Sequence, residues 1–185
     1  SLQFLLEGLK NKQKAIYITI DEKPEHVISD ALALGWDIRS YLEDGSLSII
    51  DITSYFSSNT DSEGNKLNAK KIVERIMEFV NNVKPQRIVI DPIAPLILTD
   101  DSIPDVIEYI RSAIFEIESI PNCTSLLTSY IPVGSTKVSC FGIEEFASSG
   151  IIHLRLLSQN NKRIRTIHIR KMRGTRIDLS EYSFE

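Results

Sequence analysis

Two buried-strand patterns in this chain end in acids. The run KAIYITI, Lys14 to Ile20, is followed directly by Asp21 and Glu22, and RIVI, Arg87 to Ile90, by Asp91. In open parallel sheets ligands collect at the carboxyl ends of the strands. A carboxylate set straight after a β-branched apolar run is costly to bury unless it faces a cleft, a metal or a partner. Two such strands read as a magnesium–nucleotide site, with one acid near the metal and another orienting water. Thr128 and Ser129 close a further strand pattern and add hydroxyls at the same end. The competing reading is that Asp21 and Asp91 only cap the turns that follow them. Spacing alone leaves both readings open.

A phosphate cradle of the form G-x-x-x-x-G-K-[ST] needs paired glycines, so that backbone N–H groups can wrap the phosphates, and a lysine for their far end. None of the eight glycines makes that pattern. The segment SLQFLLEGL, Ser1 to Leu9, reads as a helix already under way. The expectation is therefore that the loop precedes Ser1 and that the chain begins within an element.

The elements that must position the acids follow from apolar periodicity. Leu2 to Leu9 reads as helix and Lys14 to Ile20 as a buried parallel strand. Pro24 opens a helix through Leu34, at a first-turn position where its missing N–H costs nothing, and Gly35 stops it. Leu47 to Ile52 is the next strand, and Ser54 to Lys66 a polar loop. Ala69, Ile72, Val73, Ile76, Met77 and Val80 keep helical spacing ahead of Arg87 to Asp91, the third strand. A helix from Ile103 to Ile117, a strand from Thr124 to Tyr130, a loop to Cys140 and a short helix from Phe141 to Ser148 come next. Ile151 to Leu157 and Arg163 to Arg170 flank SQNNK and predict a hairpin. Strands alternating with helices, then a hairpin, predict one three-layer α/β domain over residues 1–185, with a mostly parallel sheet and an antiparallel edge.

Composition agrees with a globular domain: 185 residues, 42% apolar and 25% charged, which excludes disordered and collagen-like classes. No apolar run approaches the roughly 18 residues that cross a bilayer. Cys123 and Cys140 make neither a disulfide framework nor a metal-ligand spacing, and a cytoplasmic setting is expected. Net charge is −4, unevenly spread. Eight of the 21 basic residues lie between Arg155 and Arg176 with no acid among them, leaving 13 basic against 25 acidic residues elsewhere. Such a stretch meets phosphate or an acidic neighbour, or is simply a solvated strand face. His26, His153 and His168 lack a second ligand at metal spacing and are read as structural, Trp36 as a packing residue, and Glu144 and Glu145 as exposed.

Five segments, in order, carry a resemblance. QFLLEGL, YITIDEKPEHVISDALALGWDI, RIVID, FGIEEFASSGIIHLRLL and RIRTIHIRKMRGTRIDLSEYSF are similar to a KaiC-type domain of the RecA ATPase superfamily, over nearly the whole chain. The resemblance implies a RecA-like P-loop NTPase fold whose Walker A strand and loop are missing here, with ATP and magnesium as ligands. It implies that Asp21 and Glu22 match the paired glutamates that activate the attacking water. Asp21 is one methylene short, which retracts its carboxylate and makes Glu22 the safer base. Asp91 matches the Walker B acid that holds magnesium through water. Lys171, Met172, Arg173 and Thr175 match the K-x-R-G-T segment that reaches nucleotide on a neighbouring subunit, with Lys171 and Arg173 as cationic fingers.

The function implied is ATP binding and hydrolysis at the subunit contacts of a homo-oligomer such as a hexamer. Two alternatives stand beside it. One is a regulatory or adaptor module of the same fold that binds ATP or a protein partner without turnover. The other is a DNA-repair accessory that binds single strands, for which the basic stretch speaks and the acidic net charge does not.

Overall fold

The computed structural model describes residues 1–52, 69–93, 103–131, 139, 142, 144–159 and 162–184. The chain divides into two compact units, Ser1–Phe141 and Gly142–Glu185.

The first unit is built on a parallel sheet. Strand β1 (Ala15–Thr19) is flanked by β2 (Leu47–Asp51) and β3 (Arg87–Asp91), and β3 by β4 (Thr124–Leu127), in the order β2-β1-β3-β4. All three pairings are parallel. Every residue of β1 is buried, as a central parallel strand covered on both faces requires. Successive side chains point to opposite faces. Ala15, Tyr17 and Val89 join one core cluster with Leu5, Leu6 and Leu9 of helix α1 (Leu2–Lys10) and with Val27 and Ala31 of α2 (Pro24–Ala33). Ile16, Ile18, Ile88 and Ile90, each at 2% exposure or less, go to the other face. There Ile50 and Ile52 line a cavity of about 260 Å³ with Ile76 and Phe79 of α4 (Ala69–Val83), which places α4 on that face. Helix α5 (Ile103–Glu118) packs against α4 and β4. Burying each Ile or Leu contributes roughly 1.5–3 kcal/mol.

Helix α1 is also tied to β3 through one side chain. The Arg87 guanidinium donates to the Phe4 carbonyl (2.6 Å) and to Gln13 Oε1 (2.8 Å). It also stacks 4.7 Å from the Phe4 ring centroid. Gly8 lies beneath it, and a Cβ there would sit 2.5 Å from Arg87 Cδ.

The second unit is antiparallel. Strands β5 (Gly150–Gln159) and β6 (Lys162–Met172) form a hairpin, and β7 (Glu181–Phe184) pairs with the outer side of β6. A bulge falls between Ile151 and Ile152. Short helix α6 (Glu144–Ala147) precedes the hairpin. On one face of this sheet Ile152, Leu154 and Leu156 are 52%, 61% and 58% exposed.

The expected elements are present with small shifts. The fourth strand ends at Leu127 instead of Tyr130, because Pro92 has no N–H and Ile93 takes the Thr128 carbonyl (2.9 Å). Both hairpin strands run longer than the apolar pattern predicted. Helix α3 (Arg39–Glu43) and β7 were not expected. The loops predicted over 54–66 and, mostly, 131–140 lie outside the described residues, as does Cys140. Trp36 packs against the α1–β1 core, as anticipated. No described helix is long and apolar enough to cross a membrane.

Candidate functional site

Parallel register brings polar residues into one row at the carboxyl edge of the sheet. Thr19, at the end of β1, lies opposite Asp51 on one side and Asp91 on the other. Thr128 follows β4 and continues its pairing, donating its N–H to the Ile90 carbonyl (3.0 Å).

Asp91 is the centre of this row. Its Oδ1 accepts from Thr128 Oγ1 (2.6 Å), and its Oδ2 accepts from the Tyr17 hydroxyl (2.9 Å) and from Ser1 Oγ. Burial pushes the Asp91 carboxyl up, but the three hydroxyl donors, together with the charge of the amino group at Ser1, outweigh it and hold the group below the usual carboxylate range. Hydrogen bonds to the charged form are the third way a pKa is set. Tyr17 responds in the opposite sense: burial, then the charge and hydrogen bond of Asp91, raise its hydroxyl above the ordinary value. The Glu22 charge adds to that rise, so this acid lies within electrostatic reach of Tyr17.

Asp21 and Glu22 sit in a turn anchored by a buried hydroxyl. Thr19 Oγ1 donates to the Glu22 carbonyl (2.7 Å) and accepts its N–H (3.1 Å). Glu22 is half-buried and Asp21 exposed. The two acids therefore differ in setting as well as in length.

Magnesium keeps several waters and is held by one or two carboxylates together with phosphate oxygens, not by a dedicated cage. A single ionised Asp91 among hydroxyls fits that demand. Among the described residues no group of three His, Cys, Asp or Glu could hold a metal by itself.

The K-x-R-G-T residues lie in the second unit, at the end of β6. Lys171 Nζ donates to the carbonyls of Glu145 (2.7 Å) and Ser148 (2.6 Å). Arg173 donates from its guanidinium to the Phe146 carbonyl (3.1 Å) and is exposed. Met172 is half-buried against Gly150, whose added Cβ would lie 2.9 Å from the Met172 Sδ. Gly174 has φ +72, a left-handed turn that glycine adopts without strain, and leads to exposed Thr175.

The basic stretch is partly neutralised by acids of its own unit. Arg155 pairs with Glu181 (3.6 Å) and Arg170 with Glu145 (3.9 Å). Glu145, expected to be exposed, is half-buried because of that pair and its packing. His153 lies opposite His168 across the hairpin. Burial, then the charges of Arg155, Arg170 and His168, lower its pKa, and its buried Nε2 has no hydrogen-bond partner among the described residues.

Sequence reasoning singled out Asp21, Glu22, Asp91 and Thr128 but passed over Tyr17. The signal was there: a tyrosine in a fully buried strand must find a partner for its hydroxyl.

A family model described as ATPase: KaiC matches residues 1–185. The chain is 28% identical over 189 residues to the circadian clock oscillator protein KaiC of Thermosynechococcus vestitus, covering 100% of this chain and 35% of that protein. The same figures hold for the circadian clock oscillator protein KaiC 1 of Synechocystis. The chain thus spans about a third of the length of these curated relatives. Among solved structures, a KaiC-like protein from the hyperthermophilic archaeon Pyrococcus horikoshii superposes with a TM-score of 0.81 at 27% identity, over 100% of this chain and 78% of that one.

Proposed function

The chain belongs to the KaiC ATPase family, and from that premise we propose that it binds magnesium–ATP and hydrolyses it at the contacts between subunits of a homo-oligomer. The observation that carries the reading is Asp91, kept ionised by three hydroxyl donors at the carboxyl edge of a RecA-like sheet.

Magnesium, when bound, supplies charge neutralisation on the phosphates. Asp91 would hold the metal, and its own hydrogen bonds fix where that carboxylate points. Glu22 orients and deprotonates the attacking water, from a turn whose backbone is fixed by Thr19. Asp21, shorter and exposed, contributes less. Arg173, Thr175, Met172 and Lys171 form the segment offered to a neighbouring subunit, where a guanidinium stabilises charge spreading over the phosphoryl group. The two compact units act as one ATPase domain in this reading, in the cytoplasm.

The test is magnesium-dependent ATP turnover by the purified protein as its concentration is raised, beside Asp91→Asn. Turnover per chain that climbs with concentration and collapses in the variant supports the proposal. Turnover that ignores concentration overturns the intersubunit part.

Asp21, in place of the longer acid, favours a second reading: a module that binds ATP and a protein partner without turnover. Tight magnesium–ATP binding with no phosphate release would select it. Single-stranded DNA binding is not favoured, because Arg155, Arg170, Lys171 and Arg173 are engaged within their own unit.

A further inference from the structure

A carboxylate has two oxygens and about four lone-pair positions between them. Among the described residues, three of those on Asp91 are taken: two on Oδ2, by the Tyr17 hydroxyl (2.9 Å) and Ser1 Oγ, and one on Oδ1, by Thr128 Oγ1 (2.6 Å). The position left open is on Oδ1. A cation, or a water bound to it, therefore meets this acid through one oxygen.

The two donors on Oδ2 differ in kind. Tyr17 is buried in β1 and shares a core cluster with Leu5 and Leu9 of α1 and Val27 of α2. A phenolic oxygen lies on the axis of its ring, so a ring held by dense packing fixes where that oxygen sits. Ser1 is exposed, and its hydroxyl swings about one bond.

We infer that Tyr17 is a positioning residue that sets metal specificity: by closing Oδ2 it restricts Asp91 to contact through one oxygen, which suits magnesium and disfavours calcium. Magnesium is small, demands near-octahedral geometry and keeps several waters, so a single carboxylate oxygen suffices. Calcium takes about six to eight oxygens and accepts both from one carboxylate. To present both, Asp91 must draw Oδ2 off its donors. The Ser1 hydroxyl can follow or take water instead; the Tyr17 oxygen cannot. A hydrogen bond to an ionised group is then lost, which lowers calcium affinity about tenfold or more. Thr128 has no such part, because its bond falls on the oxygen that is already open. The closure of Oδ2 stands on these contacts alone, whereas its bearing on metals rests on the magnesium–nucleotide reading.

Manganese tests this without turnover. The ion is bound to the purified protein with a non-hydrolysable ATP analogue, followed by electron paramagnetic resonance, and displaced by magnesium or by calcium. The analogue alone gives the background preference between the two. The wild-type protein is expected to favour magnesium over calcium about tenfold more strongly than that background. Tyr17→Phe, which keeps the ring in the core, should abolish the excess. Thr128→Val also removes one donor from Asp91 but leaves Oδ2 closed, and should retain it. A wild-type protein with no excess preference overturns the inference, whatever the variants do. So does an excess that survives Tyr17→Phe, or one lost equally in Thr128→Val; in each case bound manganese leaves the magnesium reading standing. A manganese signal identical with and without the protein overturns that reading itself, and the inference with it.

Discussion

The Tyr17 hydroxyl donates to Asp91 Oδ2 at 2.9 Å, across the adjacent parallel strands β1 and β3. Tyr17 lies directly opposite Val89 in the register, so the bond runs diagonally, two residues forward, to the acid that ends β3. A buried tyrosine thus serves both the core and the site.

Tyr17→Phe keeps the ring in the core and removes one donor from Asp91. Two donors remain, so a loss of about 1.5 kcal/mol is expected, the low end for hydrogen bonds to charged groups. Urea unfolding at pH 7 measures it. The Asp91 carboxyl, followed by carbon NMR, should titrate higher than in the wild type. An unmoved titration would remove Tyr17 from the site.

The pair also sets the shape of stability against pH. Asp91 has a lowered pKa in the folded chain, so its contribution is present above the ordinary carboxylate value, about 3.9, and fades as acid brings pH through the lower folded value. Tyr17 has a raised pKa. Its contribution is complete below about pH 10 and is lost as pH climbs beyond that, because only the unfolded phenol ionises readily. Tyr17→Phe should remove this alkaline loss and Asp91→Asn should flatten the acid side. Thermal melts from pH 3 to 11 suffice; wings identical in all three proteins would contradict the assignment.

Gly8→Ala reverses the usual sign for a helix. An alanine in an open helix interior gains up to about 1 kcal/mol over glycine. Here the new methyl would fall 2.5 Å from Arg87 Cδ and 2.6 Å from Nε. Arg87 is pinned by Phe4 and Gln13, so it cannot step aside cheaply. A net loss of about 1–3 kcal/mol is expected, the range for overpacking. Gly8→Ala with Arg87→Ala should recover part of it, and a stabilising single variant would disprove the close fit.

The two acids after β1 should separate in kinetics. Glu22→Gln is expected to lower turnover by about 10²-fold or more, the lower end for a general base. Asp21→Asn should lower it less than about tenfold, consistent with its exposure. Equal losses would return both to one shared role.

Why was the sheet legible and the site only half so? KAIYITI and RIVID are apolar runs too short for helices, and their burial is dictated by composition, so β1, β3 and the acids ending them could be read directly. Helix α3 is five residues long without a periodic stripe, organised by Asp37, which accepts the Arg39 N–H (3.1 Å). Nothing in its pattern announces it. Strand β7 is four residues, all exposed, and exists only because β6 offers an edge. The Lys171 contacts depend on where α6 ends against β6, a tertiary fact that a K-x-R motif does not encode. Tyr17 was hidden by its own apolarity: inside a buried run it reads as core, and the hydroxyl is noticed only when the register sets Asp91 beside it.

The parallel register has a kinetic consequence. No two neighbouring strands of the β2-β1-β3-β4 sheet are joined by a tight turn. Joining β1 to β3 brings together residues such as Lys14 and Gln86, 72 positions apart, and closing such a loop must precede any reward from pairing. The β5–β6 hairpin needs only a local closure, which takes about 1–10 μs in isolation. In a refolding experiment followed by pulsed exchange, amides of Gly150–Met172 should gain protection first and those of β1 last. Ile152, Leu154 and Leu156 are exposed in the folded chain already, and until the parallel sheet forms the apolar residues of β1 and β3 are uncovered as well. The early intermediate should be the species most prone to aggregate, and diluting the refolding mixture should raise the yield more than slowing the denaturant drop.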